Sequence, residues 1–407
     1  MKFTEGGVTA AKGFEAAGAE AQIKYKNRMD MALVYSKVPC VSAGTFTSNV
    51  VKAAPVLWDK NIVDTKETAQ AVVVNSGIAN ACTGKQGMDI CKKEAECAGR
   101  LLGIPADAVL VASTGVIGMQ IPEDRICAGI EKLAAAKTDT LKAGNDAARA
   151  IMTTDTVFKE VAVEIEISGK KVTLGGMCKG SGMIHPNMCT MLGFVTTDAA
   201  ISKELLVKAV KKDVIDSFNM ISVDGDTSTN DTLLVLANGM AENPVITEEN
   251  EDYKVFCEAL HAVTTTLAKK MAGDGEGATA LFETKVIHAD TKQNARILAK
   301  SVICSSLTKA AIFGHDANWG RILCALGYSG VSFDPENVDL YFEAEGKKMA
   351  IFSKGVAYDY SEEEASAILS CKEVTALVDM HMGEESATAW GCDLSYDYVK
   401  INADYRS

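Results

Sequence analysis

The stretch KGSGMIHPNMCTMLGFVTTD, Lys179 to Asp198, sets a threonine after a cysteine inside a run of Gly, Met and Pro. A threonine hydroxyl is a weak nucleophile until a base takes its proton, and no partner base stands beside Thr190 in the sequence. A threonine that begins a chain supplies its own base, the α-amino group. For an internal Thr190 that solution requires cutting the Cys189–Thr190 bond. Three further segments combine small residues with polar groups that are costly to bury unpartnered. Two of them, Asn75-Ser76-Gly77 and Ser113-Thr114-Gly115, are expected as loops directly after apolar strands. The third is Gly273-Asp274-Gly275-Glu276-Gly277, which lacks the spacing of a phosphate cradle and carries two acids that repel phosphate. Taken singly, each segment also reads as a plain turn.

The elements that must position these residues are interleaved strands and helices. Ala71 to Asn75 reads as a buried strand ended by a loop over Ser76 to Asn80, and Val109 to Ala112 repeats the pattern before Ser113 to Gly118. Helices are expected from about Gln86 to Leu102, stopped by Gly103 and Pro105, and after Pro122 with two acids in its first turn. Glu160 to Ile167 alternates strictly, and Ser168-Gly169 turns it into a partner strand from Lys171 to Leu174. Ser202 caps a helix running to about Phe218. Met220 to Val223 and Thr232 to Ala237 read as strands around DGDTSTND, and Ala241 to Asp252 as a solvated turn and subdomain seam. The class is mixed, α/β or α+β, with layered sheets and helices.

Composition narrows the function. A chain of 407 residues with 47% apolar and 23% charged residues can bury a large core of two or three domains. Its net charge of −13 argues against a nucleic-acid partner or an anionic-membrane surface. The N-terminus has no apolar core of signal-peptide type, and no apolar run approaches about 20 residues, so a cytoplasmic location is expected. None of the 12 cysteines forms a C-x-x-C pair, which points to free thiols, mostly buried. The five histidines are scattered and show no metal-ligand spacing, so no metal is expected.

Taken together, the segments resemble the ornithine acetyltransferase family of arginine biosynthesis. KGSGMIHPNMCTMLGFVTTDA (179–199) matches its self-processing segment, joined by NSGIANACTG (75–84), ASTGVIG (112–118), GDGEGATAL (273–281), TKAAIFGHDANWGRI (308–322) and NADYRS (402–407). The resemblance covers essentially the whole chain. Three positions depart from the family's usual residues: Cys189 for alanine, Ile78 for asparagine and Ser407 for threonine. A small cysteine leaves the cut unobstructed, and serine keeps the hydroxyl.

The resemblance implies an α+β fold with an N-terminal-nucleophile-like αββα catalytic core, about 1–284, and a C-terminal α/β subdomain, about 285–407. It implies self-cleavage into an α chain, 1–189, and a β chain, 190–407, assembled as α2β2. Thr190 is then the nucleophile that takes acetyl from N-acetylornithine and passes it to glutamate. Thr114 and Gly115 are implied as the oxyanion donors, in a tight turn suited to aiming a hydroxyl and an N–H. Thr153, Lys179, Thr190, Glu276, Asn402 and Ser407 are the implied substrate-binding positions. A cation for a carboxylate and an anion for an ammonium suit α-amino-acid substrates, roles that fit Lys179 and Glu276. The structural alternatives are a solvated loop lysine, an exposed turn acid and a frayed polar tail. No cofactor is implied; acetyl-CoA is a candidate second donor, and no CoA-specific motif decides it. Two other functions fit parts of the pattern: an N-terminal-threonine amidase or aminopeptidase of the same fold, and an unprocessed, non-enzymatic binding protein. An acceptor pocket built by Lys179 and Glu276 favours transfer over hydrolysis, and self-cleavage separates either enzyme from a binding protein.

Overall fold

Ala71-Val72-Val73-Val74 carries no polar side chain because both faces of its strand are covered. The computed structural model describes residues 1–185 and 191–404. These divide into a larger body (Met1–Gly180, residues 191–219 and Thr227–Leu267) and a smaller one (Ser181–His185, Met220–Asp226 and residues 268–404).

In the larger body nine strands form one hydrogen-bonded sheet: β1 (Lys2–Thr4), β2 (Phe14–Ala19), β3 (Met31–Phe46), β4 (Thr68–Ile78), β5 (Val109–Val116), β6 (Lys159–Ile167), β7 (Lys170–Lys179), β8 (Leu192–Thr197) and β9 (Thr232–Ala237). Their order is β1-β6-β7-β8-β9-β3-β4-β5, with β2 added to β3. The helices are α1 (Ala54–Thr65), α2 (Gly84–Leu102), α3 (Glu123–Ala136), α4 (Leu141–Ala150), α5 (Lys203–Asp216) and α6 (Glu251–Gly273). Leu33, Val73, Val109 and Val111 pack against Ile90 and Ala95 of α2 and Ile126 and Leu133 of α3. The alternate residues Val34, Val72, Val74 and Leu110 point the other way, into a cluster with Met177, Leu192, Phe194, Leu234 and Leu236 of β7, β8 and β9. The sheet therefore folds over on itself. The long β3 makes the passage: its first half pairs with β4 and its second with β9, with a register break between Tyr35 and Cys40. Val263 and Leu267 of α6 lie over Gly176 of β7 and complete a helix–sheet–sheet–helix stack. This is the α+β, αββα layering expected of the core.

Local signals explain several boundaries. Ser168 and Gly169 both take left-handed φ values, 48° and 76°, and Ile167 pairs with Lys170, which is the geometry of a two-residue hairpin turn. The Ser202 side chain accepts from the Leu205 N–H and caps α5, and Gly103 ends α2 in the left-handed conformation. Other expectations change. β4 and β5 run on through Ile78 and Val116, where loops were expected, because the two strands keep pairing there. Met220 to Val223 is a 3-10 turn, Phe218–Met220, followed by a single bridge from Ile221 to Trp390 instead of a strand. Residues 241–252 stay inside the larger body, and the division falls at Ala268, within α6. A boundary near residue 284 would cut through the strand Leu281–Ala289.

The smaller body carries six strands: β10 (Leu281–Ala289), β11 (Asp339–Ala344), β12 (Lys347–Ser353), β13 (Val356–Ala357), β14 (Glu373–Asp379) and β15 (Glu385–Cys392), in the order β13-β12-β11-β14-β10-β15. β10 and β14 are parallel. Helix α7 (Lys292–Cys304) packs Leu298, Ala299, Val302 and Ile303 against this sheet, all fully buried. The described cysteines are free thiols; Cys40, Cys91, Cys97, Cys178 and Cys392 are buried, whereas Cys82 and Cys324 are exposed. Among the described residues no helix is long and apolar enough to cross a membrane.

Candidate functional site

Thr114 and Gly115 sit within strand β5, paired in parallel register with Ser76 and Gly77 of β4. The expected tight turn is thus a continuous ladder, and glycine is what permits it. Gly115 has φ 129°, and a Cβ there would lie 2.3 Å from the carbonyl carbon and oxygen of Gly77. Three side chains secure the ends of the two strands. Asn75 Nδ2 donates to Ile78 O at 2.9 Å, and Ser113 Oγ to Ala79 O at 2.5 Å. Asn230 Nδ2 donates to Ala79 O and to Ser113 O, the latter at 2.9 Å. Thr114 itself is partly exposed, and no side-chain partner holds its hydroxyl among the described residues.

Lys179 ends β7 and is buried, which excludes the solvated loop lysine. Its neighbour is Asp155, whose Oδ2 lies 3.9 Å from Lys179 Nζ. Asp155 Oδ1 accepts from Lys159 Nζ and from the Gly180 N–H, each at 2.7 Å, and Oδ2 from the Thr153 N–H at 3.1 Å. Burial alone would raise this carboxyl. Lys179, then Lys159 and the Gly180 N–H, outweigh burial and hold it at about 2. Asp155 therefore stays ionised and ties together two of the expected substrate-binding positions, Thr153 and Lys179.

In the smaller body Glu276 is buried, not an exposed turn acid. Its Oε2 accepts from Asn402 Nδ2 at 2.8 Å, and its backbone N–H donates to Ser181 O at 2.9 Å. Gly182 leaves room for this carboxylate, because a Cβ there would lie 2.3 Å from Oε2. Asp224 holds the segment just ahead of the expected cut: it accepts from the Met183 N–H at 2.6 Å, the Ile184 N–H at 2.9 Å and the Tyr398 hydroxyl at 3.2 Å. His185 Nδ1 lies 3.0 Å from Ser222 Oγ, and burial pushes its imidazole down to about 4, so it is neutral at physiological pH. Cys189, Thr190 and Ser407 lie outside the described residues.

A family model described as the ArgJ family matches residues 15–407. The chain belongs to the ArgJ family. Two curated relatives carry that name as arginine biosynthesis bifunctional proteins. The Symbiobacterium thermophilum protein is 54% identical over 409 residues, covering 100% of both chains. The Clostridium acetobutylicum protein is 52% identical over 402 residues, covering 98% of this chain and 97% of its own. A crystal structure of the Bacillus halodurans arginine biosynthesis bifunctional protein is 46% identical with a TM-score of 0.51; the match covers 99% of that chain and 53% of this one.

Three residues of this ArgJ-family chain escape a reading of the sequence. Asp155 stands in MTTDTVF, Asp224 and Asn230 in the polar connection DGDTSTND, and each looks like ordinary loop polarity. A usable signal lies in composition: Asp155 stands four residues before Lys159, the residue that opens the apolar-alternating strand β6. A lysine that begins a buried strand needs an acid within reach.

Proposed function

We propose that this ArgJ-family acyltransferase of arginine biosynthesis moves acetyl from N2-acetyl-L-ornithine to L-glutamate through an acetyl ester on Thr190. The observation that carries the reading is the end-to-end match to ArgJ relatives by a chain that holds a threonine inside KGSGMIHPNMCTMLGF. In the first step the Thr190 hydroxyl attacks the Cys189 carbonyl carbon, the peptide nitrogen leaves as a free amine, and water hydrolyses the resulting ester. The products are the α chain, 1–189, ending in a carboxylate, and the β chain, 190–407, beginning at Thr190. The Bacillus halodurans chain supports this step, since it is matched almost completely yet spans about half of the present sequence.

The freed α-amine of Thr190 then accepts the hydroxyl proton as Oγ1 attacks the acetyl carbonyl of the donor. The oxyanion takes hydrogen bonds from the Thr114 hydroxyl and the Gly115 N–H. When it collapses, the ornithine nitrogen leaves with the proton from the Thr190 ammonium. Glutamate enters with its amine unprotonated, attacks the acetyl ester and restores the threonine. Lys179, held by Asp155, receives the substrate carboxylate, and Glu276, held by Asn402, receives the ornithine ammonium; Thr153 and Ser407 complete the polar contacts. The family resemblance gives an α-amino-acid substrate one cationic and one anionic partner, which favours transfer to an acceptor over release to water. Acetyl-CoA is the second donor that the family resemblance leaves as a candidate. The processed chains assemble as α2β2 and act in the cytoplasm. A direct test incubates purified protein with N-acetylornithine and glutamate, then with acetyl-CoA as sole donor, and measures N-acetylglutamate. The wild type forms it from N-acetylornithine, and Thr190→Ala remains one chain and forms none; hydrolysis to acetate without transfer would make the enzyme an amidase.

A further inference from the structure

We propose that His288, Asp379 and His381 form a binding site for one divalent d-block cation of the Zn2+, Co2+ and Ni2+ class. Topology assembles it. β10 and β14 run parallel with Ile287 opposite Asp379, so residues 91 apart in sequence meet at the ends of both strands. The Met380 N–H donates to Ile287 O at 3.0 Å, and the Met382 and Gly383 N–H groups to His288 O at 2.7 and 2.9 Å. Asp379 Oδ1 lies 2.8 Å from His288 Nδ1 and 3.4 Å from His381 Nδ1. One ligand atom from each of the three falls within 4.8 Å of the others. A tetrahedral centre with bonds of about 2.0–2.2 Å needs donors about 3.4 Å apart, so a small outward shift of His288 accommodates the ion.

The surroundings of His381 match a metal-bound imidazole. Its second ring nitrogen, Nε2, is 2.8 Å from Asp339 Oδ2. Asp339 comes from β11, directly opposite Asp379, and accepts a further bond from Ser353 Oγ. A carboxylate that takes the Nε2–H leaves the Nδ1 lone pair facing Asp379, the outer-shell arrangement that orients metal-bound histidines. Both histidines adopt left-handed backbone angles, φ 54° and 48°, a conformation histidine takes more readily than most non-glycine residues. Their rings stack at 6.3 Å with 23° between planes. Asp379 Oδ1 also accepts from the His381 backbone N–H at 3.1 Å, which fixes the carboxylate beside both rings, and the two exposed ion pairs themselves, at side chains 47% and 41% exposed, contribute little to stability. Two imidazoles select a borderline d-block ion over Mg2+ or Ca2+. Three protein donors leave the fourth position to water.

The test titrates Co2+ into the full, chelator-stripped protein and follows its visible absorption, with Zn2+ as competitor. One saturable equivalent with nitrogen and oxygen ligation is expected, displaced by Zn2+. His288→Ala with His381→Ala lowers the affinity by about 100-fold or more, and Asp339→Asn lowers it by about 10- to 100-fold while the three ligands remain. Thermal unfolding without metal checks that the variants fold, and added Zn2+ should raise the midpoint of the wild type alone. Unchanged Co2+ binding in the double variant, intense thiolate-to-metal bands from a cysteine, or no saturable binding would each overturn the site.

Discussion

Asp155 and Glu94 are both buried in the larger body, yet their carboxyls are driven in opposite directions. Burial raises each of them. For Asp155, Lys179, Lys159 and the Gly180 N–H outweigh burial, and the group is held at about 2. For Glu94 burial is unopposed and the group is pushed up to about 8. Next to it Asp59 is also pushed up, by its own burial and by Glu94, although its Oδ1 accepts from the Val111 N–H at 2.8 Å. Glu94 Oε1 and Asp59 Oδ2 have no protein hydrogen-bond partner among the described residues. Enclosure is therefore common to both regions, and the charged partner decides the outcome. The ionised carboxylate organises candidate substrate-binding residues, whereas Glu94 and Asp59, both pushed up by burial, lie under β5 as part of the core.

The largest expected effect comes from breaking the charged side. Asp155→Ala removes the buried carboxylate that bonds Lys159 and the Gly180 N–H and faces Lys179, which should cost about 3–5 kcal/mol in denaturant unfolding. Lys159→Met in the same chain should recover much of that loss; an Asp155→Ala protein as stable as the wild type would mean that the cluster does not hold the fold. Because the folded carboxyl lies below its ordinary value, its contribution is complete above about pH 4 and fades as the pH falls through about 2.

On β5, the strand whose Val111 N–H donates to Asp59, Thr114→Ala removes one of the two proposed oxyanion donors. Turnover should fall by about 10²–10³-fold with little change in KM. An unchanged maximal rate would leave the Gly115 N–H as the donor.

The neutral side should respond to alkali. Glu94 folded at about 8 holds a proton that the unfolded chain has already lost above its ordinary value of 4.5. Stability should therefore fall by about 2–3 kcal/mol from pH 6 to pH 9. Glu94→Gln should flatten that slope without changing acetyl transfer at neutral pH. A slope equal in both proteins would place the alkaline loss elsewhere.

Legibility followed the range of the interaction. The hairpin at Ser168-Gly169, the Ser202 cap and the layered core were readable because turns, caps and periodicity are local. A tight turn is the natural reading of Thr114 and Gly115, since glycine after an apolar run looks alike in a loop and in a ladder that closes on Gly77. The burial of Lys179 depends on Asp155, and Asp155 in turn bonds Gly180, 25 residues along the chain, a pairing no local pattern shows. The scattered histidines likewise hid His288 and His381, which only the parallel pairing of β10 with β14 brings together. The Glu276–Asn402 contact joins two positions that the family resemblance had already singled out.

The central claim is that Thr190, freed by self-cleavage, carries the acetyl group. Intact-mass spectrometry of the purified protein after exposure to N-acetylornithine without glutamate tests it most directly. Two pieces of 189 and 218 residues should appear, and the piece that begins at Thr190 should be heavier by one acetyl group mapped to its first residue. Glutamate should then remove the acetyl and release N-acetylglutamate. An uncut chain that still transfers acetyl, or an acetyl group mapped to any other residue, would contradict the account.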